Sequence, residues 1–144
     1  MNKRSILLVE DDPDHELLTI RALKKSGIVN EMRVAHDGEE ALELLFGEPS
    51  GTTPELPQLV LLDLKLPKVD GLEVLRRIRE GDTTNMLPVV VLTSSDEESD
   101  IVRSYKLGVN SYIRKPVNFS DFAEATRQLG LYWLVLNECP PTVL

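Results

Sequence analysis

In this 144-residue chain Glu10, Asp11 and Asp12 close the apolar run "ILLV", Asp63 closes "LVLL", Thr93 and Ser94 close "VVVL", and Lys115 follows "SYIR". An apolar run that finishes on a carboxylate calls for an explanation, because a charge at the edge of a core must be paired or coordinated. If the ends of these runs come together, carboxylates ~5 Å apart repel by roughly 3 kcal/mol per pair at an effective dielectric of about 20, so something positive must sit among them. Hard carboxylate oxygens suit Mg²⁺, which takes one or two carboxylates, keeps several waters and accepts phosphate oxygens. Lys115 adds a second positive charge, able to pair with Asp63 or with a phosphoryl group placed on it, and Thr93 adds a hydroxyl donor. An ionised carboxylate is a weak nucleophile, yet it can attack phosphorus delivered in line once the incoming charge is neutralised. Taken singly, each residue has an ordinary reading: an acidic helix start, a β-former at a strand end, a surface lysine. Their shared place at the ends of successive runs favours a site.

The elements that must position these residues follow from periodicity. Short apolar or β-branched runs occur at Ile6–Val9, Met32–Ala35, Leu59–Leu62, Val89–Thr93 and Ser111–Arg114, separated by amphipathic stretches of helical length. Three helix starts carry a capping residue with Glu three positions on: Asp37 with Glu40, Asp70 with Glu73, and Ser95 with Glu98. Gly27 and Gly108 stand where C-terminal caps belong. The near-continuous "LVLL" and "VVVL" read as strands buried on both faces of a parallel sheet, which predicts an α/β fold with helices on both faces. In such sheets ligands bind beyond the carboxyl ends of the strands, where the strand order reverses. The stretch Gly47–Pro57, "GEPSGTTPELP", reads as a long surface loop.

The set "VEDD", Asp63 followed by "LKLPKVDG", Thr93 thirty residues later and "KP" fifty-two residues after Asp63 resembles the receiver domain of bacterial two-component response regulators over roughly residues 3–128. The resemblance implies a flavodoxin-like, doubly wound five-stranded parallel sheet of order 2-1-3-4-5. It makes Asp63 the phosphoacceptor, and Glu10, Asp11, Asp63 and the backbone carbonyl of Lys65 the holders of Mg²⁺. Thr93 and Tyr112 become a switch pair, Ser94 and Lys115 phosphate contacts, and Pro116 a cis-proline. A phosphohydrolase with an aspartate nucleophile would place a second acid two residues after the first, where Lys65 stands, and no glycine-rich phosphate loop follows the first strand. The implied activity is acceptance of a phosphoryl group from a sensor histidine kinase, the protein catalysing only its own phosphorylation and dephosphorylation. A receiver that binds partners without phosphorylation is the alternative.

Other features bound the biology. The chain is expected to be a single domain, with a core over about residues 3–128 and a C-terminal helical extension over about 129–144. The net charge of −8 argues against a phosphate-backbone partner, and no run is long enough for a membrane span or a secretory signal, so a cytoplasmic protein is expected. The 29 residues after Lys115 are fewer than a helix-turn-helix or catalytic effector needs, so a stand-alone receiver is expected. His15 and His36 read as ordinary polar surface positions with no assigned chemistry. From Phe119 onward one helical pattern runs to Pro140, with Phe122, Thr126, Leu129, Trp133 and Leu136 as the packing stripe. Leu131, Leu134 and Val135 fall off that stripe and are expected to form a homodimer patch, the alternative being that the tail folds back as a further core element. The "YWL" ending and the loop before the third strand are similar to single-domain regulators that partner bacterial phytochrome-type histidine kinases.

Overall fold

The computed structural model describes residues 5–47 and 55–140. Most of the expected loop over Gly47–Pro57 lies outside the described residues. Strands β1 (Ile6–Val9), β2 (Met32–Ala35), β3 (Leu59–Leu62), β4 (Val89–Thr93) and β5 (Ser111–Arg114) coincide with the five apolar runs. They pair in parallel in the order β2-β1-β3-β4-β5. Between and after them lie α1 (Pro13–Lys25), α2 (Gly38–Phe46), α3 (Gly71–Glu80), α4 (Glu98–Lys106) and α5 (Phe119–Gly130), the last continuing as a π-helical segment over Leu131–Leu136.

The side-chain alternation of β3 shows why the sheet is covered twice. Leu59 and Leu61 pack with Leu23 of α1 and Leu129 of α5, whereas Val60 and Leu62 pack with Ala41 and Leu45 of α2 and with Val74, Leu75 and Ile78 of α3. Every β3 side chain is thus removed from water, each contributing about 1.5–3 kcal/mol. That leaves only the strand ends for polar chemistry.

Helix starts follow the capping signals, with one exception. Asp12 accepts from the amides of Asp14 and His15, Asp37 from Glu40, and Asp70 from Glu73, so each satisfies amides that the first helical turn leaves open. The expected cap at Ser95 does not form: α4 begins at Glu98, after Glu97, which makes no side-chain cap. The Ser95 hydroxyl donates to the buried Asp100 carboxylate at 2.6 Å, a charge-assisted bond that fixes its rotamer, and among the described residues accepts only from the Glu97 amide at 3.4 Å. Gly27 and Gly108 follow α1 and α4 with φ of 84° and 91°, as expected of residues that turn the chain out of a helix.

The C-terminal stripe is only partly as expected. Phe122, Thr126 and Leu129 are buried, but Leu136 is 71% exposed, and Leu134, expected on the free stripe, packs beside Trp133 against the β1–β3 core. The π turn explains the shift: its i→i+5 bonding takes more residues per turn, so a pattern counted at α-helical steps falls out of phase after Gly130. The helical stretch also ends at Leu136, closed by the Asn137 amide on the Tyr132 carbonyl at 2.6 Å, short of Pro140.

The loop that carries Asp63 into α3 is held by close backbone approach. The Gly71 amide donates to the Leu64 carbonyl at 2.9 Å, and a Cβ on Gly71 would lie 2.3 Å from the Asp63 carbonyl oxygen and 2.6 Å from the Leu64 Cα. Gly71→Ala should therefore lower stability by about 1–3 kcal/mol despite the better helix propensity of Ala, read as a lower urea midpoint. An unchanged or higher midpoint would show that the loop relaxes freely.

Candidate functional site

The carboxyl ends of β1, β3, β4 and β5 bring Glu10, Asp63, Thr93 and Lys115 to one place, all four buried. The Lys115 ammonium donates to Glu10 Oε1 at 2.5 Å, to Asp63 Oδ2 at 3.0 Å and to His15 Nδ1 at 2.9 Å. The other oxygen of Asp63, Oδ1, accepts from the Thr93 hydroxyl at 2.8 Å and the Lys65 amide at 3.3 Å. Asp63 is thereby fixed from both sides, one oxygen on an ammonium and the other on neutral donors.

Asp11 completes an acidic cluster. One carboxylate oxygen each from Glu10, Asp11 and Asp63 lie within 4.8 Å of one another. Asp11 is exposed, and its carboxylate has no hydrogen-bond or ion-pair partner among the described residues. The Lys65 carbonyl is likewise not taken by a hydrogen bond among them. Three formal negative charges against one ammonium leave the cluster short of positive charge, and the donors are all hard oxygens. That set fits a small divalent cation such as Mg²⁺. Burial pushes the Glu10 carboxyl up to about 7 against the opposing pull of Lys115, with the Asp63 charge adding to the rise.

Around this centre a second network links loops. The Tyr112 hydroxyl donates to the Ser95 carbonyl at 2.9 Å while its ring packs against the core, and the Ser95 amide donates to Thr93 Oγ1 at 3.4 Å. Asp100 takes the Ser95 hydroxyl and lies 3.4 Å from the Lys65 ammonium, which with the Ser95 bond holds its carboxyl below the usual range. Ser94 is exposed, and no side-chain hydrogen bond of its own ties it to Asp63. The space beside the cluster is lined by Asp11, Lys65, Asp70, Asp100 and Arg103 among others, with a volume of about 420 Å³.

Two expectations change. The Lys115–Pro116 bond is trans, like every peptide bond among the described residues. The trans form of an X–Pro bond is favoured by about 0.5–1 kcal/mol, and here the Lys115 side chain reaches both carboxylates without a cis bend. His15, read from the sequence as plain surface, lies inside the site against Lys115, 100 residues further along the chain. Its place in the first turn of α1, four residues after Asp11, was the available signal: that turn starts directly at the acidic strand end. His36 stays outside the site, bonded to Glu16 on the surface.

Residues 6–127 match the family model of the response regulator receiver domain, and the chain belongs to that family of two-component signalling proteins. The probable methanogenesis regulatory protein FilR2 of Methanothrix harundinacea is 42% identical over 135 residues, covering 94% of this chain and 86% of that protein. The response regulator Rcp1 of Synechocystis is 40% identical over 129 residues, covering 90% of this chain and 88% of its own length. The crystal structure of the Mn²⁺-bound form of Rcp1 is similar with a TM-score of 0.90 at 38% identity, over 96% of this chain and 99% of that one. That of the phosphorylated cyanobacterial phytochrome response regulator RcpA gives 0.91 at 38% identity, over 97% and 100%. The chain is a receiver related to phytochrome response regulators.

The raised Glu10 carboxyl has a thermodynamic consequence in the metal-free protein. Between the ordinary carboxyl value of 4.5 and about 7 the folded state holds a proton that the unfolded chain has released, so stability should fall as pH rises through that window. The fall should be on the order of 3 kcal/mol at most, and Glu10→Gln should flatten it. Denaturation midpoints with a chelator present, compared at about pH 5 and about pH 7.5, test the sign. A wild-type slope that survives in the Gln variant would assign the proton elsewhere.

Proposed function

We propose that this protein takes a phosphoryl group from the histidine of a sensor kinase onto Asp63, in a Mg²⁺-dependent reaction, and signals through the resulting change of its binding surface. The observation that carries this reading is the two-sided hold on Asp63, with the Lys115 ammonium on one oxygen and the Thr93 hydroxyl on the other, beside an under-neutralised acidic cluster. Glu10, Asp11, Asp63 and the Lys65 carbonyl would hold the ion, which when bound supplies the positive charge that lets an anionic phosphoryl group approach. The rest falls to the chain's own side chains. An Asp63 oxygen attacks phosphorus, the new O–P bond forms as the N–P bond to the donor histidine breaks, and the electron pair leaves with that nitrogen. Lys115 and Thr93 already point at the two oxygens, so either donor can turn to the phosphoryl oxygens with little reorganisation.

The acyl phosphate adds charge and strong acceptors at the end of β3. Thr93 and Tyr112 are the switch pair in this reading, joined through Ser95, so a pull on Thr93 reaches the loop before α4.

A phytochrome-type histidine kinase is the proposed partner, supported by the resemblance to Rcp1 and RcpA. The net charge of −8 supports a protein rather than a nucleic-acid partner, and no helix among the described residues is long and apolar enough to cross a membrane, in keeping with a cytoplasmic role. A homodimer through the C-terminal region is also proposed. Its patch is revised by the π turn: Tyr132, Val135 and Leu136 are the exposed apolar residues, with Leu131 half-buried beside them and Leu134 turned inward. A two-fold contact would let that patch meet itself.

With Mg²⁺ and acetyl phosphate, intact mass should rise by one phosphoryl group. Asp63→Asn should abolish the rise and a chelator should suppress it; full labelling of the Asn variant would sink the assignment. Val135→Glu combined with Leu136→Glu should leave a folded protein that still accepts phosphate but sediments as a monomer at concentrations where the wild type is dimeric. A wild type that is monomeric at tens of micromolar, phosphorylated or not, removes the dimer.

A further inference from the structure

An ammonium group carries three N–H bonds and no lone pair, and all three of those on Lys115 are directed at acceptors: Glu10 Oε1, Asp63 Oδ2 and His15 Nδ1. Toward His15 the lysine can only donate, so this hydrogen bond requires a lone pair on Nδ1, with the ring proton on Nε2; the same Nδ1 lies 3.7 Å from Asp12 Oδ2 and 4.0 Å from Glu10 Oε1. Two independent contacts hold His15 in place, one on its backbone and one on its ring. Its backbone amide is tied to the Asp12 cap at 3.3 Å, and its ring stacks on the buried Phe122 of α5, with centroids 5.7 Å apart and planes 29° from parallel. The α1 and α5 helices that supply these contacts pack on the same face of the sheet.

We propose that His15 is a positioning residue for phosphoryl acceptance, a neutral third acceptor that fixes the direction of the Lys115 ammonium. The inference rests on the phosphoacceptor reading of Asp63. When a phosphoryl group arrives, the N–H that Asp63 holds must turn to a phosphoryl oxygen, while the other two keep the ammonium head from swinging away. Glu10 anchors one of them but is also a proposed holder of the cation. His15 anchors the other without adding charge. A carboxylate in its place would put a further negative charge beside an incoming anion, and an apolar group would leave a buried N–H without an acceptor. Neutral imidazole provides the acceptor at neither cost. The stacking on Phe122 also connects the lysine head to α5, so that displacement of the ammonium is felt by a helix bearing no residue of the acidic cluster.

Two variants separate the acceptor from the ring. His15→Phe keeps an aromatic against Phe122 but removes the acceptor; His15→Asn gives up the stacking but offers an amide oxygen close to the Nδ1 position. Labelling rates with acetyl phosphate and saturating Mg²⁺ should fall roughly tenfold in the Phe variant, the loss of one hydrogen bond to a charged group. The Asn variant should recover most of the wild-type rate, a rescue that a purely packing role for the ring would not give. In the unphosphorylated wild type, two-bond ¹H–¹⁵N spectra of the imidazole should show a protonated Nε2 and an unprotonated Nδ1. The Lys115 ammonium resonance, slowed in exchange by its three acceptors, should be lost in the Phe variant. A wild-type rate in the Phe variant, or a proton on Nδ1 in the wild type, overturns the role of His15 even if Asp63 is labelled normally. A wild type that takes no phosphoryl group while the spectra show the expected tautomer overturns the phosphoacceptor reading, and the positioning role with it.

Discussion

The structure depends on a buried ammonium placed between two buried carboxylates. Removing Lys115, Glu10 and Asp63 from water costs several kcal/mol per ion, and their mutual attraction offsets this only because the distances are short and each donor finds an acceptor. Such a cluster is weak evidence for stability but strong evidence for a site. A hydrophobic replacement would pack as well, whereas a charge triad at strand ends is poised to exchange one partner for an incoming ion. The opposing demands are visible at Glu10, where burial drives the carboxyl toward its neutral form and Lys115 draws it toward the charged one.

The doubly covered parallel sheet is what makes this arrangement possible. Because β1, β3 and β4 have every side chain buried, their interiors admit no polar groups, and the chain can turn polar only where the strands stop. Parallel pairing brings those stops to one edge, in a register that sets Val9 beside Leu62 and Thr93 beside Arg114. Each acidic or basic residue is one step past its strand, which is why residues from β1, β3 and β5 meet at hydrogen-bonding distance.

From that edge, contacts lead outward by two routes. One runs from Asp63 through Thr93 and Ser95 to Tyr112, with Asp100 and Lys65 closing it across the mouth of the site. The other runs from Lys115 through His15 to Phe122 on α5. The first joins loops, where small displacements cost little, while the second joins helices already packed on the sheet. A change of charge on Asp63 would therefore bear both on the loops before α4 and on the helices packed on the sheet.

Local patterning was enough to define the strands and most helix starts. Runs such as "LVLL" and "VVVL" have no polar position to expose, and a capping Asp followed by Glu three residues on declares a helix within a few residues of sequence. The same runs carried Glu10, Asp63, Thr93 and Lys115 to strand ends, so the acidic site was legible once the sheet was inferred. What the sequence could not decide involves competition between partners distant along the chain. The Ser95 hydroxyl donates to the buried Asp100 carboxylate, which fixes its rotamer, so its lone pairs meet the Glu97 amide, at 3.4 Å, and not the first-turn amides of α4. The pitch of the helix after Gly130 depends on how it lies against β1 and β3, and a π turn there moved Leu134 inward and Leu136 out. His15 had no neighbour at ligand spacing in the sequence, and only the packing of α1 against α5, with the long Lys115 side chain reaching from the end of β5 across to Glu10, set its ring beside the ammonium. Periodicity reports which face of an element is buried, but the third acceptor of an ammonium is chosen by whichever side chain the finished fold delivers to it.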